Sequence, residues 1–147
     1  MENRVSVENL EEKPGEVAVS VPRVIAKFKS AKIWMSSPHE LIIDEHKVTI
    51  IRHAFLSPSL TRHIKLTDVA NISMVAGPMF GSLSMYEKGF STDPISVNRF
   101  WREDAVRARR LLEGLSVLAS QNVKFSELTV DEIILKAEKA GSVIEVV

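Results

Sequence analysis

From Leu41 to Ala119 the chain alternates apolar and polar positions in several short runs, then changes to helical spacing. Trp101, Ala105, Ala108, Leu112, Leu115 and Ala119 recur at intervals of four and three, which lines one face of a helix beginning at about Trp101. Leu111 and Leu118 widen that face, and Arg102, Glu103, Arg107, Arg109, Arg110 and Glu113 occupy much of the remainder. Before the helix, Leu41–Ile43 and Val48–His53 flank the polar stretch from Asp44 to Lys47, a hairpin pattern without a turn glycine. Ser57, Pro58 and Ser59 mark the next turn, after which Leu60, Arg62, Ile64 and Leu66 alternate with Thr61, His63 and Lys65. A strand over 70–76 ends at Gly77–Pro78. Leu83 and Met85 then alternate with Ser82, Ser84 and Tyr86, and Ile95 and Val97 with Ser96 and Asn98. Six short strands at roughly ten-residue spacing predict an antiparallel barrel or sandwich.

Two flanking regions read differently. Residues 1–22 are irregular, rich in Glu and interrupted by Pro14–Gly15 and Pro22, which predicts a disordered acidic arm. Residues 23–35 fit a strand, with Val24, Ala26 and Phe28 on one side, and also an amphipathic helix, with Val24, Phe28, Ala31 and Met35 on one face. Strand is preferred, because Ile33 and Trp34 are β-formers and Pro38 then breaks the run. After a break at 120–122, Thr129 and Glu132 have capping-box spacing at the start of a short helix, with Leu128 and Ile133 as its hydrophobic staple. Gly141 is placed to stop that helix, leaving apolar residues 142–147 as an edge strand or a frayed end. The implied organisation is an arm over 1–22, a domain over 23–120 and an extension with a short helix over 121–147.

Composition narrows the function classes. The 147 residues carry no net charge, so no global field draws the chain to nucleic acid or to membranes. Charge is nonetheless uneven. Glu2, Glu8, Glu11, Glu12 and Glu16 face only Arg4 and Lys13 in the first 22 residues, whereas Arg23, Lys27, Lys29, Lys32, Lys47, Arg52, Arg62 and Lys65 outnumber Glu40, Asp44 and Glu45 in the next interval. An acidic arm beside a basic body can bind it in cis. There is no cysteine, hence neither a disulfide framework nor a thiolate site. With no basic-then-apolar leader and no apolar run approaching a membrane span, the expected location is cytoplasmic, or peripheral at the inner face of the membrane.

The run from Glu40 through Asp44, Glu45, His46 and Lys47 to Arg52 resembles the opening hairpin of bacterial PH-like domains. Arg62 to Ala70 resembles their next strand, and Phe80, Gly81, Ser82 and Leu83 the strand after it, so the resemblance covers about 40–120. It implies an α+β fold: a partly open antiparallel barrel or sandwich of six to seven strands closed by a C-terminal α-helix, here with a short extra helix. It also implies a non-catalytic binding module, since that fold serves to bind lipid headgroups, peptides or other subunits. A ligand does not transfer with a fold.

Candidate chemistry is sparse. Lys47, Arg52, Arg62 and Lys65 would gather on one end or face of the early hairpins as an anion or membrane patch, each basic side chain contributing about 1 kcal/mol beside anionic lipid. If the third turn centres on Pro58, His53 and His63 face each other, a pair short of the three or four ligands a stable metal site needs. No nucleophile elbow, phosphate loop or paired acid–base group is present, so no enzyme, cofactor or metal is expected. Phe28, Trp34, Phe55, Tyr86 and Trp101 read as core residues, which removes the exposed aromatics that single-stranded nucleic acid would need. Arg107, Arg109 and Arg110 would crowd the outer surface of the helix, to meet an acidic partner or to cover apolar surface with their stems. The expected partners are therefore a protein or anionic lipid headgroups. Homo-oligomerisation through edge strands or Val143, Ile144, Val146 and Val147 is the alternative.

Overall fold

The computed structural model describes residues 21–32, 37–54, 56–89 and 93–146, with side chains described as far as Ser142. Seven strands come first: β1 (Val24–Lys29), β2 (His39–Asp44), β3 (Lys47–Arg52), β4 (Leu60–Lys65), β5 (Val69–Ala76), β6 (Phe80–Glu87) and β7 (Ile95–Trp101). Two helices follow, α1 (Arg102–Ser120) and α2 (Val130–Val146). The strands form two antiparallel meanders, one ordered β1-β2-β3-β4 and the other β5-β6-β7. Residues 1–20 of the expected arm over 1–22 and the β-forming pair Ile33 and Trp34 lie outside the described residues, as do Met35 and Phe55.

Alternation in the sequence becomes two inward faces. Leu41, Ile43, Val48, Ile50 and Ile64 from the first sheet meet Leu83, Met85, Val97 and Phe100 from the second, and α1 adds Leu111, Leu112 and Leu115. Each of these is at most 1% exposed, and each such side chain contributes roughly 1.5–3 kcal/mol on burial. One corner is joined by backbone: the Ala31 N–H donates to the Arg99 carbonyl at 2.7 Å, and the Asn98 N–H donates to His39 Nδ1 at 3.1 Å. Burial, with Arg52, Arg99 and His53 nearby, lowers the His39 pKa.

Three bulges set which side chains point in. Between Val24 and Ala26 the pairing with β2 slips, so Ile25 and Phe28 are buried and Val24 is exposed. That corrects the expected inward set of Val24, Ala26 and Phe28. A second slip, between Val69 and Asn71, separates the inward residues Val69 and Ile72 by three. In β7, Asn98 and Arg99 together oppose Ser82, with Arg99 in the left-handed region at φ 61°. The bulge restores phase, so Phe100 is fully buried and Trp101, expected to open the buried stripe of the helix, is 49% exposed. Trp101 instead stacks on Phe80, ring centroids 5.1 Å apart.

The two helices pack without side-chain spacers. A Cβ on Gly114 would lie 1.8 Å from the Ala137 carbonyl oxygen, and one on Gly141 would lie 2.2 Å from that of Arg110. Thus Gly141 does not stop α2, which runs on to Val146. It is small because the backbone of α1 passes over it. The segment 142–146 is helical, neither an edge strand nor a frayed end. The start of α2 is as the capping-box spacing requires: the Thr129 N–H donates to Glu132 Oε2 at 2.8 Å, and the Glu132 N–H donates to Thr129 Oγ1 at 3.2 Å.

Candidate functional site

Three connections converge at the end of the molecule where α1 stops. Asp44 and the two residues after it make the tight β2–β3 turn. The Asp44 carboxylate accepts from the N–H groups of His46 and Lys47, at 2.8 and 2.9 Å, which replaces the turn glycine the sequence lacks. The Leu66 N–H then donates to the His46 carbonyl at 2.9 Å and ties the end of β4 to that turn. On the helical side, Asn122 adopts the left-handed conformation at φ 59°. Its N–H donates to the Ala119 carbonyl and that of Val123 to the Leu118 carbonyl, both at 3.1 Å, a Schellman closure of α1. The chain leaving this cap carries Lys124 past the β2–β3 turn, and buried Phe125 anchors it.

Between these connections lies an open groove of about 640 Å³. His46, Lys47, Lys65 and Lys124 line it, with the hydroxyl-bearing Thr67 and Ser126. Lys47 and Lys65 stand directly opposite each other across β3 and β4. Like charges so placed destabilise a sheet. Among the described residues none of the three lysines makes an ion pair. The acids of the adjoining β2–β3 turn are both engaged. Asp44 holds the turn, and Glu45 accepts from the Arg23 side chain (Nε at 2.7 Å) and from its backbone N–H at 3.2 Å. Burial pushes the Glu45 carboxyl up, but the Arg23 bonds outweigh it and its pKa is lowered. The charged lining of the groove is thus three lysines and one carboxylate already paired with Arg23.

The four basic residues singled out from sequence are not brought together. Lys47 and Lys65 meet in the groove, whereas Arg52 and Arg62 lie on the opposite face of the same strands. There they flank a small cleft of about 180 Å³ with Leu60, Asp93 and Pro94. Both arginines have partners: Arg52 Nη2 donates to the Ser96 carbonyl at 2.5 Å, and Arg62 lies 3.6 Å from Glu87. The signal was available, because Lys47 to Arg52 is five residues and Arg62 to Lys65 is three, and odd spacing in a strand puts side chains on opposite faces. No such rule reaches Lys124, some 60 residues further on.

Other expectations shift as well. His53 and His63 do not face each other: His63 Nδ1 lies 2.9 Å from Thr49 Oγ1, and His53 Nε2 lies 2.7 Å from Glu40 Oε2. Among the described residues there is no cluster of three metal-ligating side chains. The helical arginines are occupied within the fold, Arg107 by Glu138 at 3.5 Å and Arg109 by Glu113 at 3.0 Å, and the Arg110 carbonyl and stem lie against Gly141. Phe28 is buried as expected, whereas Tyr86 is only half-buried. No described helix is long and apolar enough to cross a membrane. No protein-family model matches this chain, and neither a curated protein nor a solved structure matches it.

Proposed function

We propose that this chain is a non-catalytic, PH-like binding module that reads an anionic membrane surface through the groove of Lys47, Lys65, Lys124 and His46. One observation carries the reading: three lysines from separate segments converge with no ion-pair partner among the described residues, and two of them oppose each other at a cost in stability. Two antiparallel sheets, of four and three strands, followed by a helix are compatible with the PH-like reading, since the resemblance implies six to seven antiparallel strands closed by a C-terminal helix.

The energetics fit a reversible contact. Three lysines beside anionic lipid contribute about 3 kcal/mol together, roughly two decades in partitioning, and salt screens most of it. Co-sedimentation with vesicles tests this, using phosphatidylcholine alone and with phosphatidylserine, at low and high salt. Wild type pellets only with the anionic vesicles and only at low salt. Changing Lys47, Lys65 and Lys124 to Ala abolishes pelleting, while Arg52→Ala with Arg62→Ala leaves it within about twofold. Equal loss in both variants, or no pelleting of wild type, removes the membrane reading.

A second reading has its own observation. Strand β4 is an edge of its sheet and exposes Leu60, Thr61, Arg62, His63 and Lys65, so a protein strand or a second copy could pair with it. Light scattering over a range of concentrations distinguishes the copy from the membrane: a constant monomer mass excludes it.

A further inference from the structure

We infer that the groove has an occupant within the same polypeptide, the acidic segment before Val21, which competes with outside anions for Lys47, Lys65 and Lys124. The inference rests on the groove being an anion site, and adds how that site is regulated. Its starting point is Arg23. The backbone N–H and guanidinium of Arg23 bond the Glu45 carboxylate, and Nη2 also donates to the Phe125 carbonyl at 2.8 Å. Glu45 and Phe125 both line the groove. Whatever precedes Arg23 therefore leaves from the groove's rim, and Arg23 is held there by an ion pair to Glu45 Oε1 and a backbone hydrogen bond to Oε2.

Charge supplies the second element. The segment carries Glu2, Glu8, Glu11, Glu12 and Glu16 against Arg4 and Lys13, and the groove holds three lysines without acidic partners among the described residues. Reach is no obstacle. Glu16 is seven residues before Arg23, and seven extended residues span up to about 25 Å, more than the width of a groove between adjacent connections. Tethering supplies the third. A segment rooted at the rim faces the lysines at an effective concentration on the order of 1 mM, so contacts too weak to hold a free peptide still fill the groove for much of the time. Outside ligands must then displace the segment, which weakens their apparent affinity by the fraction of time the groove is open.

The chain has no cysteine, so one introduced thiol can be labelled cleanly. Asn9→Cys carrying a nitroxide, in the full chain, is compared with the same label in a variant with Glu2, Glu8, Glu11, Glu12 and Glu16 changed to Gln. At low salt the label broadens the amide signals of His46, Thr67 and Lys124, and the broadening disappears at high salt and in the Gln variant. Absence of salt-sensitive broadening at those amides overturns the inference, whatever the vesicles show. Titration with phosphatidylserine vesicles provides the second readout, in which the unlabelled Gln variant binds about 2- to 10-fold more tightly than wild type. Equal vesicle affinity in the two proteins overturns the competition, and leaves the groove as an anion site. Broadening without any vesicle binding upholds the internal occupant and defeats the membrane reading instead.

Discussion

Replacing Gly114 by Ala should destabilise this protein, although the same change in an ordinary helix interior stabilises by about 1 kcal/mol. Gly114 is buried in the middle of α1. The new Cβ would stand 1.8 Å from the Ala137 carbonyl oxygen and 2.5 Å from the carbonyl carbon. Those atoms are backbone of α2, so no rotamer relieves the overlap. The helices must separate by more than 1 Å to bring the nearest contact to 3.0 Å. Separation loosens Ile133 and Ala137, both 0% exposed. Overpacking of a well-filled core costs about 1–3 kcal/mol, and a rigid backbone neighbour places this case at the upper end. After the gain in helix propensity, net destabilisation of about 1–2 kcal/mol remains. With a urea dependence on the order of 1–3 kcal/mol per molar, the midpoint falls by roughly 0.5–1 M, read by circular dichroism at 222 nm. Ala137→Gly in the same chain does not rescue it, because the overlap is with the carbonyl and not with the methyl group. A Gly114→Ala protein as stable as wild type, or more so, would refute the close approach of α2 to α1 that underlies the whole C-terminal half.

Lys65→Glu replaces a repulsive cross-strand pair by an attractive one. It should raise stability by about 0.2–1 kcal/mol in the same urea assay while weakening anionic-vesicle binding; a loss of stability would contradict the pairing of Lys47 with Lys65. Phe100→Ala should cost about 3–5 kcal/mol and Trp101→Ala only about 1, since Phe100 is fully buried and Trp101 has chiefly its stacking on Phe80. Comparable losses would mean that the β7 bulge does not set the phase as described. Glu40 titrates below the ordinary carboxylate range, first because it shares a hydrogen bond with His53 and then, against the upward push of burial, because Lys27 and Lys29 lie close by. A lowered carboxylate pKa contributes stability that is complete above the ordinary value and is lost as pH falls through the lowered one. His53→Ala should therefore raise the Glu40 midpoint in a carboxyl NMR titration and reduce stability at neutral pH but not in strong acid; an unmoved midpoint would show that His53 is not the cause.

The elements themselves were legible because they are written locally. Period-two runs placed six of the strands, the spacing from Ala105 to Ala119 placed α1, and Thr129 with Glu132 placed the start of α2, since alternation and capping depend only on residues within one or two turns. The basic groove was half legible: Lys47 and Lys65 could be named, and strand parity alone would have set Arg52 and Arg62 apart from them. What the tertiary structure decided depends on contacts between distant segments. Whether β1 buries Ile25 or Val24 depends on a one-residue slip against β2, and whether Phe100 or Trp101 points inward depends on a bulge opposite Ser82. Gly141 reads as a helix stop until the Arg110 carbonyl is seen above it. Lys124 joins Lys47 and Lys65 only because the cap at Asn122 aims the chain at a turn made far earlier. Local periodicity carries no information about such meetings, because the free energy that selects them comes from packing whole elements against one another.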